Sequence, residues 1–155
     1  MQPDTDHTFM KAALEEAQHA AELDEVPIGA VIVWQNDIIA RHGNRTRTLH
    51  DPSAHAEILA IREACQKLGA QRIPDCDLYV TLEPCTMCAA AISFARIKRL
   101  VIGAPDPKGG AVMNGIRFFE QPTCHHKKID LITGLEEDAC AQILKTFFQS
   151  KRAGV

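Results

Sequence analysis

Two short stretches of the chain carry residue types at spacings that could do chemistry: His55-Ala56-Glu57, and Pro84-Cys85-Thr86-Met87-Cys88. Taken alone, a Cys-x-x-Cys pair fits a structural zinc site, a redox pair or coincidence. A lone His-x-Glu says less, because most histidines near a helix start are solvated or simply hydrogen-bonded. Together they say more. His55, Cys85 and Cys88 make three zinc ligands, and the chain has no second Cys-x-x-Cys to close a four-ligand structural site. Three protein ligands with one open position is the pattern of a catalytic zinc.

The electrostatics agree. Cysteines three apart on the first turn of a helix face one side and can share a metal. The helix dipole is positive there, which favours the thiolate form. Neutral His55 and two thiolates balance the charge of a divalent ion. Zinc lowers the pKa of its water towards ~7, which supplies a nucleophile at cellular pH. Glu57 lies two residues beyond His55 and should not share its direction on a helix. That frees its carboxylate to move protons instead of binding metal.

The elements that must position these groups follow from periodicity. Apolar residues at helical spacing over 6–23 predict a first helix, with Phe9, Met10, Ala13, Leu14 and Ala17 on its buried side. Ile28 to Trp34, closed by Asn36-Asp37 and followed by Ile38-Ile39-Ala40, reads as a hairpin. Arg41 to His50 is polar and expected as loop. Asp51-Pro52 is expected to open a second helix, with a stripe through Ala54, Ile58, Ile61, Cys65 and Leu68 and a stop at Gly69. Leu78–Leu82 reads as a buried strand. A helix of small residues follows from Pro84 to near Arg96, and then a strand at Leu100–Ile102. Such a strand–helix–strand unit implies a parallel pair. Residues 103–127 are rich in Gly and Pro, a length of loop that is usually functional. A fifth strand at Ile129–Ile132 and a last helix from Leu135 complete an α/β reading: one mixed central sheet with helices on both faces.

Composition bounds the rest. At 155 residues, 46% hydrophobic and 24% charged, the chain reads as a single domain over residues 1–155. No stretch approaches the ~20 apolar residues of a membrane span. The acidic, polar start has no basic and apolar leader pattern, so the expected address is the cytoplasm, with the six cysteines reduced or metal-bound. A net charge of −3 argues against a protein that coats nucleic acid non-specifically, and no DNA partner is expected. It conceals a split: residues 1–40 carry −7 and residues 41–128 carry +5. That basic middle suits docking of one phosphate-rich partner, and scattered surface charge produces the same pattern.

The pair of motifs H-x-E and P-C-x-x-C is the zinc deaminase signature. Further stretches extend the match: Glu25-Val-Pro-Ile-Gly-Ala30, Gly43-Asn-Arg45, Asp51-Pro-Ser-Ala-His-Ala-Glu-Ile58, Leu78-Tyr-Val-Thr-Leu-Glu-Pro-Cys-Thr-Met-Cys88 and Gly103-Ala-Pro-Asp-Pro-Lys-Gly109. With these the chain resembles the bacterial tRNA adenosine deaminases, from the first helix to the closing Phe147-Phe148 helix. The resemblance implies a three-layer α/β/α, cytidine deaminase-like fold. It implies a hydrolase that converts the wobble adenosine of a tRNA anticodon stem-loop to inosine and releases ammonia. It also implies one zinc per subunit on His55, Cys85 and Cys88, with Glu57 as the proton shuttle. Asn44 would bond the flipped nucleoside, Val26 would line the base pocket, and Asp106 would contact the nucleotide preceding or bearing the target. The family is homodimeric through its third, Ala-rich helix. Many members continue the glycine loop with a Gly-Ser-Leu-Met-Asp-like run, where this chain reads Ala111-Val-Met-Asn-Gly-Ile-Arg-Phe-Phe119. Cys124, His125 and His126 are expected to be structural or RNA-contacting, since adjacent histidines rarely converge on one ion.

Two other functions compete. One is the same chemistry on a free base or nucleoside such as guanine or cytosine. The other is a non-catalytic zinc-stabilised interaction domain, against which Glu57 speaks because a structural site needs no carboxylate beside it.

Overall fold

A computed structural model describes residues 3–153. The elements are α1 (Pro3–Glu22), β1 (Gly29–Trp34), β2 (Asp37–Gly43), α2 (Ala56–Leu68), β3 (Cys76–Leu82), α3 (Thr86–Ala95), β4 (Arg99–Ala104), β5 (Asp130–Thr133) and α4 (Glu137–Ala153). The sheet runs β2-β1-β3-β4-β5. β1 is antiparallel to both neighbours, whereas β3, β4 and β5 are parallel. This is the mixed sheet expected.

Alternation along the strands builds two cores. Ala30, Ile32, Leu78, Val80, Leu100 and Ile102 pack with Ala56, Ala60 and Ala64 of α2 and with Ala89, Ile92 and Ala95 of α3. Val31, Val33, Tyr79 and Val101 turn to the other face, where Phe9, Met10 and Ala13 of α1 and Cys140 of α4 cover them. Helices therefore lie on both sides. The approach of α1 is close: a Cβ on Gly29 would stand 1.9 Å from the Ala13 carbonyl oxygen. Only glycine fits there.

Three local expectations need correction. The hairpin turn is Gln35-Asn36, both with positive φ (50° and 68°), the conformation a two-residue primed turn demands. β2 continues through Arg41–Gly43, where loop was expected. Arg41 is held by Glu15 and Glu16 of α1 and His42 by Glu63 of α2, so the polar side chains of this edge strand have partners on both helices. α2 starts at Ala56, not at Asp51. Asp51 instead accepts hydrogen bonds from the Ser53 backbone N–H (2.9 Å) and hydroxyl (2.7 Å), closing a turn of its own. The helix consequently buries Ala56, Glu57, Ala60 and Ala64, while Ile58, Ile61, Cys65 and Leu68 of the expected stripe are only half-buried. Alanines on that face let the helix axis approach the sheet.

Candidate metal centre and substrate cleft

The carboxyl ends of β3 and β4, the start of β1 and the N-termini of α2 and α3 meet at one end of the sheet. This is where open α/β sheets place their ligands. His55 is the N-cap of α2 and Cys85 the N-cap of α3. Both have extended backbone, and neither side chain caps its own helix. N-cap side chains ordinarily bond back to the first turn. Here they turn to each other, and Cys88 from the first turn of α3 joins them.

The His55 Nδ1 atom lies 3.6 Å from Cys85 Sγ and 3.4 Å from Cys88 Sγ. All three ligand atoms fall within 4.8 Å of one another, and among the described residues no other group of His, Cys, Asp and Glu converges in this way. Tetrahedral zinc with ordinary Zn–N and Zn–S bonds puts nitrogen and sulfur about 3.6 Å apart. The trio therefore has the donor set and the spacing of a three-ligand zinc site.

Glu57 stands outside the trio and is 3% exposed. Burial pushes its carboxyl up to about 7, and the neighbouring Cys85 thiolate adds to that effect. The hydrogen bond from Cys88, with burial opposing it and His55 assisting, brings the Cys85 thiol down to about 4. Cys88, as the donor in that pair, is pushed up, and the bond to Cys85 pulls His55 up.

The other expected site residues lie at the same end of the sheet. Asn44, 5% exposed, follows the last residue of β2, and its N–H donates to the Ile28 carbonyl (3.0 Å). Ile28, Val26 and Asp106 line a cleft of about 440 Å³, closed on one side by Leu144 and Phe148 of α4. Asn44 and the trio do not line that cleft. Leu82, which does, stands three residues before Cys85. Cys124, His125 and His126 do not converge. Cys124 is buried against the Ser93 hydroxyl, and His126 bonds the Ile97 carbonyl.

Sequence reasoning assigned no role to two buried carboxylates. Glu25, fully buried, accepts from the N–H groups of Arg47 and Thr48 and from the Thr48 hydroxyl. Glu83, 3% exposed, accepts from the N–H groups of Asp106, Val112, Met113 and Asn114 and from the Asn114 amide. Burial pushes both carboxyls up, but the converging donors outweigh it and hold each below the usual carboxylate range. Their signal in the sequence was position alone: each sits inside a motif, directly before Val26-Pro27 or Pro84-Cys85.

The layered fold and this site define a deaminase of the cytidine deaminase-like class. A family model of MafB19-like deaminases matches residues 4–152. The tRNA-specific adenosine deaminase of Agrobacterium fabrum is 65% identical over 93% of this chain and 94% of its own. A solved structure from work on A-to-I editing by tRNA:A34 deaminases, also 65% identical, covers 88% of this chain and 99% of its own with a TM-score of 0.86. The guanine deaminase of Nitrosomonas europaea is more distant, at 25% identity over 91% of this chain and 83% of its own with a TM-score of 0.78. The chain belongs to the family of tRNA-specific adenosine deaminases.

Among the described residues no helix is long and apolar enough to cross a membrane.

Proposed function

We propose that this chain hydrolyses the wobble adenosine of a tRNA anticodon to inosine, releasing ammonia, with one zinc per chain on His55, Cys85 and Cys88. The observation that carries the reading is a three-donor group that no fourth His, Cys, Asp or Glu joins among the described residues, with a buried carboxylate beside it. A structural zinc site would be closed by a fourth ligand and would gain nothing from Glu57. The 65% identity to a tRNA-specific adenosine deaminase supports the choice of substrate.

Zinc, when bound, supplies Lewis-acid activation of a water molecule. Glu57 takes the proton that water loses and delivers it to N1 of the adenine as the water oxygen bonds C6. It then takes the proton of the new C6 hydroxyl and passes it to the amine, which leaves as ammonia as the C6–N bond breaks. Its burial keeps bulk water from competing for that proton. Asn44 bonds the flipped nucleoside and Val26 walls the base. Asp106 contacts the nucleotide preceding or bearing the target. A base must leave its stack to reach such a pocket, and this costs least in a single-stranded loop. The basic stretch over 41–128 neutralises the loop phosphates, so affinity falls as salt rises.

The whole chain works as one domain in the cytoplasm and pairs with a second copy through α3. Phe94 supports the pairing, because it is 68% exposed on a helix that otherwise offers mainly small residues.

A second reading, deamination of a free base, is favoured by the structural likeness to a guanine deaminase. One assay separates the two. Ammonia release is measured side by side with an anticodon stem-loop bearing A at the wobble position, and with adenosine, cytidine, cytosine and guanine. Turnover of the stem-loop with near-inert adenosine is expected, since free adenosine lacks the remote contacts that position C6. Rapid turnover of guanine or cytosine beside an inert stem-loop would establish the second reading.

A further inference from the structure

The loop from 105 to 114 contains neither helix nor strand, yet it supplies Asp106 to the cleft. Its shape depends on one side chain. Glu83 Oε1 accepts from the Asp106 N–H (2.9 Å) and the Asn114 Nδ2 (2.7 Å). Glu83 Oε2 accepts from three consecutive N–H groups, those of Val112, Met113 and Asn114, each at 3.0 Å. Successive backbone N–H groups converging in this way form an anion-binding concavity, and here the anion belongs to the protein itself. Five donors meet a group with about four lone-pair sites, so only a charged, acceptor-only side chain satisfies them. The packing is equally specific: a Cβ on Gly110 would stand 2.3 Å from the Glu83 carboxyl carbon.

The other end of Glu83 is just as fixed. Its N–H donates to the Ala104 carbonyl (2.9 Å) as β3 ends, and two residues later Cys85 enters the metal centre. The Ala111 N–H returns to the Pro84 carbonyl (2.9 Å), stitching the loop to the same turn. One residue thus ties the metal-bearing turn to the loop that carries Asp106. Asp106 itself uses Oδ1 to accept from Lys108 and Gly109, so its carboxylate has a set direction only while the loop keeps its turn.

We infer that Glu83 is a positioning residue for substrate choice: its carboxylate holds the 105–114 loop so that Asp106 addresses the nucleotide next to the target base. The inference rests on the RNA reading above and adds to it the residue that sets recognition. Glu83 lies outside the metal trio, and both of its carboxylate oxygens are taken up by the loop. Its loss therefore weakens binding and selection, and the chemical step is left largely intact.

The test is Glu83→Gln on the zinc-loaded enzyme, with kcat and KM measured on the stem-loop and on stem-loops altered at the nucleotide preceding the target. Glutamine keeps the shape but turns an NH2 group towards donors. KM is expected to rise about 10- to 100-fold, as for the loss of several charge-assisted hydrogen bonds. The change in kcat should stay under about threefold. Preference among the altered loops should fall by about tenfold, and Asp106→Asn should lower it alike. The double variant should be no worse than the poorer single one, because both act through one contact. Asn114→Ala removes a single donor and should give a smaller loss of the same kind, which decides the matter if Glu83→Gln fails to fold or to hold zinc. Unchanged KM and preference in zinc-loaded Glu83→Gln would overturn the inference, as would losses that multiply in the double variant. An inert wild type on every stem-loop overturns the functional reading and this inference with it. An active wild type with an indifferent Glu83→Gln overturns this inference alone.

Discussion

Glu25 offers a quantitative test of how the opposite wall of the site is held. Its side chain is fully buried. One oxygen accepts from the Arg47 N–H at 3.2 Å, and the other from the Thr48 N–H and hydroxyl, both at 2.6 Å. These bonds tie the segment leading to Val26 to the loop that follows Asn44. In Glu25→Gln the amide oxygen can keep the Thr48 contacts, but the NH2 group then faces the Arg47 N–H, donor against donor. An orphaned buried N–H costs about 1–3 kcal/mol. Converting the Thr48 bonds from charge-assisted to neutral removes about 1 kcal/mol more. The expected loss is about 2–4 kcal/mol, a large part of a typical domain's 5–15 kcal/mol.

The pH dependence carries its own sign. Burial raises the Glu25 carboxyl, but the loop donors win and its pKa in the folded protein lies below the ordinary 4.5. A depressed carboxyl contributes stability above its unfolded value and loses it as pH falls through the folded one. The gap between wild type and Glu25→Gln should therefore be full at neutral pH and narrow below about 4.5. Urea unfolding of both proteins across that range measures it. A gap under about 0.5 kcal/mol at neutral pH, or one that stays constant into acid, would refute the reasoning.

Three further expectations follow from the site. Glu57→Gln should keep zinc and fold but lose about 10²–10⁴-fold in kcat, the usual worth of general acid–base catalysis; zinc content falling in parallel would make Glu57 a ligand. Cys85→Ala and Cys88→Ala should lose metal and activity together, read by metal analysis of purified protein, and full activity in metal-free protein would remove the basis of the reading. Phe94→Glu should shift the chain from dimer to monomer by light scattering at micromolar concentration, whereas a wild type already monomeric there would reject the α3 interface.

The order of elements and the two-sided sheet were legible because they depend on periodicity, which local sequence carries. The convergence of His55, Cys85 and Cys88 was legible because their residue types are rare and their spacing suits a shared ion. What escaped depended on partners far along the chain. Arg41 and His42 look like loop until Glu15, Glu16 and Glu63 are placed beside them. Asp51-Pro52 has the marks of a helix start, and the hydrogen bonds of Asp51 to Ser53 settle otherwise. That delay matters, because a helix begun at Asp51 would have carried His55 inside a helical turn instead of at its N-cap. Glu25 and Glu83 escaped for another reason: a buried carboxylate satisfied by loop N–H groups has no period, and the donors that keep it charged are backbone groups, invisible in residue identity.

These residues divide the site into two physical parts. The trio and Glu57 hang from the N-termini of α2 and α3, whose alanine faces fix them to the sheet. The walls are different in kind. Each is an irregular loop held by one charged oxygen pair, Glu25 for the stretch after Asn44 and Glu83 for the stretch around Asp106. Helix packing is distributed over many contacts, so no single change re-aims the ligands. A loop organised around one carboxylate can be reshaped by changing its donors while His55, Cys85 and Cys88 stay where they are. A guanine deaminase sharing this fold at 25% identity is the pattern expected of such a division, with the scaffold kept and the substrate different. The proposed reading thus places selection in how loop backbone is tied to two buried acids, and reaction chemistry in where two helices begin.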